Sequence, residues 1–153
     1  NTSWQVSEGF FKWLLQSLCR DPSLLKKHKL DFKKTMGFVL VSSPEMKKLN
    51  FRYRRKKKIT DVLSFHGDGM FLGDVVLCVP QIRRQARDHQ LDMAEELAYL
   101  ALHGVLHLLG YEHETSPQKA KKMFQIQDKL FAELLDRDIV KIFKKTGKHG
   151  KKA

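Results

Sequence analysis

Cysteine is nearly absent from this chain of 153 residues: only Cys19 and Cys78 occur, far apart and without a Cys-x-x-Cys spacing. That scarcity speaks against a disulfide framework and against a thiolate zinc knuckle, and it makes a reducing compartment the simpler setting. Long apolar runs are also missing. The longest stretches, such as Leu97 to Leu102, fall far short of the roughly 20 residues a membrane span needs, and the start carries no signal-peptide pattern. A soluble, cytoplasmic protein is expected, or an organellar one if a targeting piece once preceded Asn1. No repeat and no linker-like stretch separates two cores, so residues 1–153 read as one domain, with a basic tail from Lys144 expected to fray.

Acidic residues are scarce relative to basic ones. Seventeen Asp and Glu face twenty-nine Lys and Arg, leaving a formal charge of +12. An excess of this size is the electrostatic signature of a polyanion partner, although Lys-rich surfaces also serve solubility. Charge alone does not choose among RNA, DNA and an anionic surface. A hydrophobic content of 42% with 30% charged residues belongs to a globular chain rather than a disordered one.

Periodicity sets the expected elements. Val6, Phe10, Phe11, Leu14, Leu15 and Leu18 recur at helical spacing until Asp21-Pro22, and a short turn from Ser23 to His28 is expected next. Phe38 to Ser42, bounded by Gly37 and Pro44, reads as a buried strand. Val62 to Phe65 and Leu72 to Val79 follow as strands, joined through the turn-like His66-Gly-Asp-Gly-Met70. From Pro80 the pattern becomes helical. Asp92-Met-Ala-Glu95 resembles a capping box, Gly110 is placed to end that second helix, and Ser116-Pro117 opens a third, with Met123, Phe124, Leu130, Phe131, Leu134 and Leu135 apolar. The order predicts an α+β fold, a small mixed sheet packed with helices; strand order is not legible.

The chemistry lies in His103-Gly-Val-Leu-His107-Leu-Leu-Gly-Tyr-Glu-His113. Histidines four apart on a helix project from one face about a turn apart, near enough for both rings to reach one cation. A turn at Gly110 then allows His113 to fold back toward them. A lone histidine more often packs in a core or faces solvent; three in this arrangement predict a metal site. Purely structural zinc sites usually take four ligands and favour Cys, whereas three neutral imidazoles leave a place for water, which ionises near neutral pH when so bound. The spacing His-x-x-x-His-x-x-Gly-x-x-His matches the metal-binding skeleton of metzincin proteases. Those proteases place Glu directly after the first His as general base, and here Gly104 stands there, so peptide hydrolysis by that route is disfavoured. Neither Glu112 nor Glu114 occupies the helical position that would replace it.

These residues resemble the YbeY family of endoribonucleases, whose hallmark is His-Gly-x-Leu-His-Leu-x-Gly-Tyr-Asp-His; only Glu112 departs from it. An upstream block agrees as well, as Leu49-Asn50, Tyr53-Arg54, Thr60-Asp61-Val62-Leu63-Ser64-Phe65 and Leu72-Gly73-Asp74. The resemblance covers roughly Phe38 to Leu130. It implies a zincin-like α+β fold, one zinc-like ion on His103, His107 and His113, and cleavage of single-stranded RNA in ribosomal RNA maturation and quality control. Ribosomal RNA and ribosomal subunits are the implied partners, small protein partners remain open, and a membrane is not among them. Nickel, copper or iron would also suit three imidazoles. Arg54 takes the place of the family's functional arginine. Ile59 and His66 stand where Pro is common, and Gln127 stands near a position often filled by Glu, which argues against a carboxylate role there.

Arg52-Tyr-Arg-Arg-Lys-Lys-Lys58 gathers six cations in seven residues, expected between a short helix and a strand. Arg52, Arg54, Arg55, Lys56, Lys57 and Lys58 are candidates for RNA phosphates, with Tyr53 available to stack on a base; a solvated face is the plainer alternative. Thr60 and Ser64 are expected to make strand-end hydrogen bonds, and Asp61 and Asp74 to cap or support imidazoles. His28, His66, His89 and His149 are expected as surface or loop residues. Other readings are a zincin-like hydrolase of another substrate and an RNA-binding ribosome assembly factor with vestigial chemistry. Whether water or the RNA 2′-hydroxyl attacks stays open.

Overall fold

The computed structural model describes residues 8–22, 24 and 34–135. The expected turn from Ser23 to His28, the tail from Lys144, His28 and His149 lie outside those residues, apart from Leu24. Helix α1 (Glu8–Leu18) is followed by strand β1 (Thr35–Val41), helix α2 (Ser43–Arg54), strands β2 (Val62–His66) and β3 (Phe71–Cys78), and helices α3 (Val79–Asp88), α4 (Met93–Leu108) and α5 (Pro117–Leu135). The three strands lie in the order β1-β3-β2, with β1 parallel and β2 antiparallel to β3. The mixed sheet expected from the sequence is therefore present.

Alternation along β3 divides the molecule. Val75 and Leu77 point into a large core with Phe10, Leu14 and Leu18 of α1, Leu97, Ala101 and Val105 of α4, and Met123, Leu130 and Leu134 of α5. Val76 and Cys78 point the other way, into a smaller cluster with Val41, Leu63 and Met46. Full burial of each large aliphatic side chain stabilises the fold by about 1.5–3 kcal/mol, so α4, buried along most of its length, anchors the histidines to the best-packed part of the structure. Its start is fixed by Asp92, whose carboxylate accepts the Glu95 backbone N–H at 2.9 Å.

The largest differences from the sequence reading lie at the first strand and at the helix after it. The first strand starts at Thr35 and runs through Gly37, with a shift of pairing register between the two. Its successor is a full helix of 12 residues, opened by a capping box in which Ser42 Oγ accepts the Glu45 N–H and Glu45 accepts the Ser42 N–H. Arg52, Tyr53 and Arg54 thus belong to the last turn of α2 rather than to a loop. Arg55 caps the helix in the left-handed conformation, at φ 57°.

Candidate metal centre and its cleft

His103 and His107 lie on the last two turns of α4, which ends at Leu108 with Leu109 as its cap. Gly110 then takes φ 96°, a conformation that side chains rarely adopt, and the chain reverses. The reversal brings His113 back to the helix. Its ring centroid lies 5.2 Å from that of His103 and 5.1 Å from that of His107, and one ring nitrogen from each of the three falls within 4.8 Å of the others.

Two of the rings are oriented from behind. His103 Nδ1 lies 2.9 Å from Gln127 Oε1, and the His107 ring hydrogen-bonds the backbone of Tyr111. The remaining nitrogens, His103 Nε2 and His107 Nε2, face each other at 3.0 Å. Burial, followed by the charges of the other two histidines, pushes His107 down to about 4, and burial likewise lowers His103. Both rings are therefore neutral at physiological pH, with lone pairs available. Three imidazoles converging within 4.8 Å, two of them neutral, make a donor set that fits a divalent transition metal.

Gly104 shows why the protease glutamate has no place here. A Cβ at this position would lie 2.5 Å from Val75 Cγ1 and 3.2 Å from Ser64 Oγ, because α4 presses directly on the sheet. Ser64 Oγ, in the middle of β2, donates to the Gly104 carbonyl of α4 at 2.9 Å, a strand-to-helix bond rather than the strand-end bond expected of it.

The histidines form the floor of a cleft of about 760 Å³. Arg54, Lys56 and Lys58 line it on the side of α2, whereas Arg52, Arg55 and Lys57 are not among its lining residues. Lys57 instead lies over the Phe51 ring at 5.4 Å, and Arg52 over Tyr53 at the same distance. Tyr53 is more than half exposed and packs edge-on to Phe65, with centroids 5.0 Å apart. Asn50, almost fully buried, donates from Nδ2 to the Lys58 carbonyl at 2.9 Å and so pins the basic segment along the rim.

Asp61 lines the cleft, accepts the N–H of Val62 at the start of β2 at 2.8 Å, and its charge acts on His103; Asp74 is not among the lining residues. Glu112 and Glu114 lie at the rim, and Glu112 is engaged by Thr115 and by Lys119, which lower its pKa. Two residues take places that sequence reasoning did not give them. His66 ends β2 inside the cleft, which the unreadable strand order concealed. Gln127 reaches His103 from another helix, and no local pattern announces such a contact.

Fold and site together define an α+β protein with a three-histidine centre at the end of a buried helix, facing a basic rim. The family profile described as Endoribonuclease YbeY matches residues 3–135. The chain belongs to that family. Endoribonuclease YbeY of Bdellovibrio bacteriovorus is 44% identical over 106 residues, which span 69% of this chain and 71% of that protein. The protein of the same name from Sulfurihydrogenibium is 41% identical over 105 residues, 65% of this chain and 69% of that one. Among solved structures, the solution structure of TM1509 from Thermotoga maritima matches with a TM-score of 0.58 at 30% identity, covering 84% of this chain and 83% of that one.

Proposed function

We propose that this chain is a metal-dependent endoribonuclease that cuts single-stranded RNA during maturation and quality control of ribosomal RNA. The observation that carries the reading is the placement of Arg54, Lys56 and Lys58 on the same cleft as the three histidines. Membership of a family named for endoribonucleases supports it. So does the net charge of +12, which suits a polyanionic substrate. Among the described residues no helix is long and apolar enough to cross a membrane.

His103, His107 and His113 would hold the ion, with zinc the expected occupant. A divalent metal there supplies Lewis-acid stabilisation at a phosphoryl oxygen and a nucleophile at neutral pH. Arg54 faces the same cleft, and its charge is close enough to help depress His107. Its guanidinium grips the scissile phosphate and offsets the charge that develops there. Lys56 and Lys58 hold flanking phosphates as point charges, which fixes the register of the strand without reading its sequence. Gly104 leaves no carboxylate against the sheet, so proton transfer does not pass through a glutamate at that place.

The deciding experiment is cleavage of a structured ribosomal RNA by wild type and His107→Ala, each as purified, with chelator, and after zinc is restored. Cleavage lost in the variant and with chelator, and recovered by zinc in wild type alone, is expected. Equal cleavage in every sample would refute a metal-dependent reaction, and tight RNA binding without cleavage would make the chain an assembly factor.

A further inference from the structure

Gln127, on α5, is fully buried behind the histidines, and its two ends are distinguishable by what they meet. Its Nε2 donates to the Tyr99 backbone carbonyl at 3.4 Å, and its Oε1 lies 2.9 Å from His103 Nδ1. A carbonyl only accepts, so the amide nitrogen is the end that belongs beside Tyr99. The amide oxygen is thereby left against His103, and it too only accepts. The proton between them must sit on His103 Nδ1. A neutral imidazole carries a single N–H, so Nε2 is bare, and this is the nitrogen aimed at His107 Nε2 at 3.0 Å.

We propose that Gln127 is a positioning residue that locks His103 in the Nδ1–H tautomer and so presents the Nε2 lone pair to a divalent transition metal. The proposal rests on the reading of the three histidines as metal ligands. Gln127 touches neither the ion nor the substrate. It acts through His103 by fixing both the ring's rotation and the side on which its proton resides. Tyr99 sets the amide's own direction, so the chain of orientation runs from a backbone carbonyl of α4, through a side chain of α5, back to a side chain of α4. A neutral amide gives this direction without adding a buried charge, which would need a partner of its own. Loss of such an outer partner typically weakens metal binding by about 10–100-fold.

The test uses the metal-free and zinc-titrated protein rather than turnover. Nitrogen-15 correlation spectra of the apoprotein read the His103 tautomer directly, and calorimetric titration reads zinc affinity, for wild type, Gln127→Met and Gln127→Glu. Wild type is expected to show Nδ1–H. In Gln127→Met the tautomers mix and zinc affinity falls about 10–100-fold, whereas Gln127→Glu, which still accepts, keeps Nδ1–H and retains binding. An Nε2–H tautomer in wild type overturns the proposal, as does a Gln127→Met protein with unchanged tautomer and affinity, and the latter leaves the metal reading intact. Wild type that shows Nδ1–H but takes up no zinc overturns the metal reading and the positioning role together. Should Gln127→Met fail to fold, the wild-type tautomer and its retention in Gln127→Glu still decide the matter.

Discussion

Gly104 and Val75 meet so closely that a Cβ on the helix would lie 2.5 Å from Cγ1 of the strand residue, nearer than such atoms pack. Val75 is fully buried and β-branched, so it has little room to turn away. Alanine at 104 gains helix propensity of about 1 kcal/mol, but overpacking a tight core costs about 1–3 kcal/mol, and a net loss of stability is expected. Gly104→Glu recreates the protease motif in sequence and forces a carboxylate against the sheet. It should yield a poorly folded protein and no peptidase. Urea denaturation of both variants checks this, and wild-type stability in Gly104→Glu would contradict the packing argument.

Arg54 and the lysines of the same rim separate into two kinds of effect. Arg54→Ala is expected to lower turnover on the order of a hundredfold or more, with zinc content unchanged, because a stabiliser of transition-state charge is gone while the ligands remain. Lys56→Ala and Lys58→Ala should instead weaken RNA binding, each reducing the slope of log affinity against log salt by roughly one. Binding isotherms at several salt concentrations, alongside metal analysis, distinguish them. A loss of zinc in Arg54→Ala would make its role structural, and a flat salt response would remove the lysines from the phosphate path.

Asn50 ties the basic segment to α2 through the Lys58 carbonyl. Asn50→Leu keeps the bulk but removes this partly buried hydrogen bond, a cost of about 0.5–1.5 kcal/mol. The rim should loosen as well, raising KM for RNA more than it lowers kcat. If KM is unchanged while stability falls, Asn50 supports the fold alone.

How far these features can be read from sequence depends on whether the signal is local. The histidine triplet, the Asp92 cap and the Gly110 reversal each reside within a short stretch of chain, and the structure brings the three histidines together as their spacing predicts. The Ser42-Ser-Pro-Glu45 capping box is equally local, yet Pro44 also reads as the boundary of the preceding strand, which hides that α2 runs on to Arg54 and carries the first basic residues in its last turn. His66 and Gln127 are different. His66 lines the cleft from β2 and Gln127 contacts His103 from α5, and neither strand order nor helix docking is encoded in local spacing. His89 belongs with them, since an expected surface histidine proves to be the partner of a buried acid on the next helix.

That pair gives the fold a pH dependence of definite sign. Glu96 is fully buried on α4, and its Oε2 lies 3.0 Å from His89 Nδ1, while Oε1 has no partner among the described residues. The hydrogen bond and then the charge of Glu96 raise the His89 pKa above 6.5. A raised histidine pKa means the folded state binds the proton more tightly than the unfolded chain. The stabilisation is complete below about pH 6.5, the unfolded value, and is lost as pH rises through the higher folded value. His103 and His107 shift in the opposite direction, so wild-type stability alone would mix the two contributions. The informative quantity is the stability of wild type minus that of His89→Gln, measured by urea denaturation from pH 5.5 to 8.5. It should be largest at the acid end and shrink toward alkaline pH. A difference that stays constant across the range would mean that the contact holds without the proton, and that His89 contributes to stability as a neutral hydrogen-bond donor.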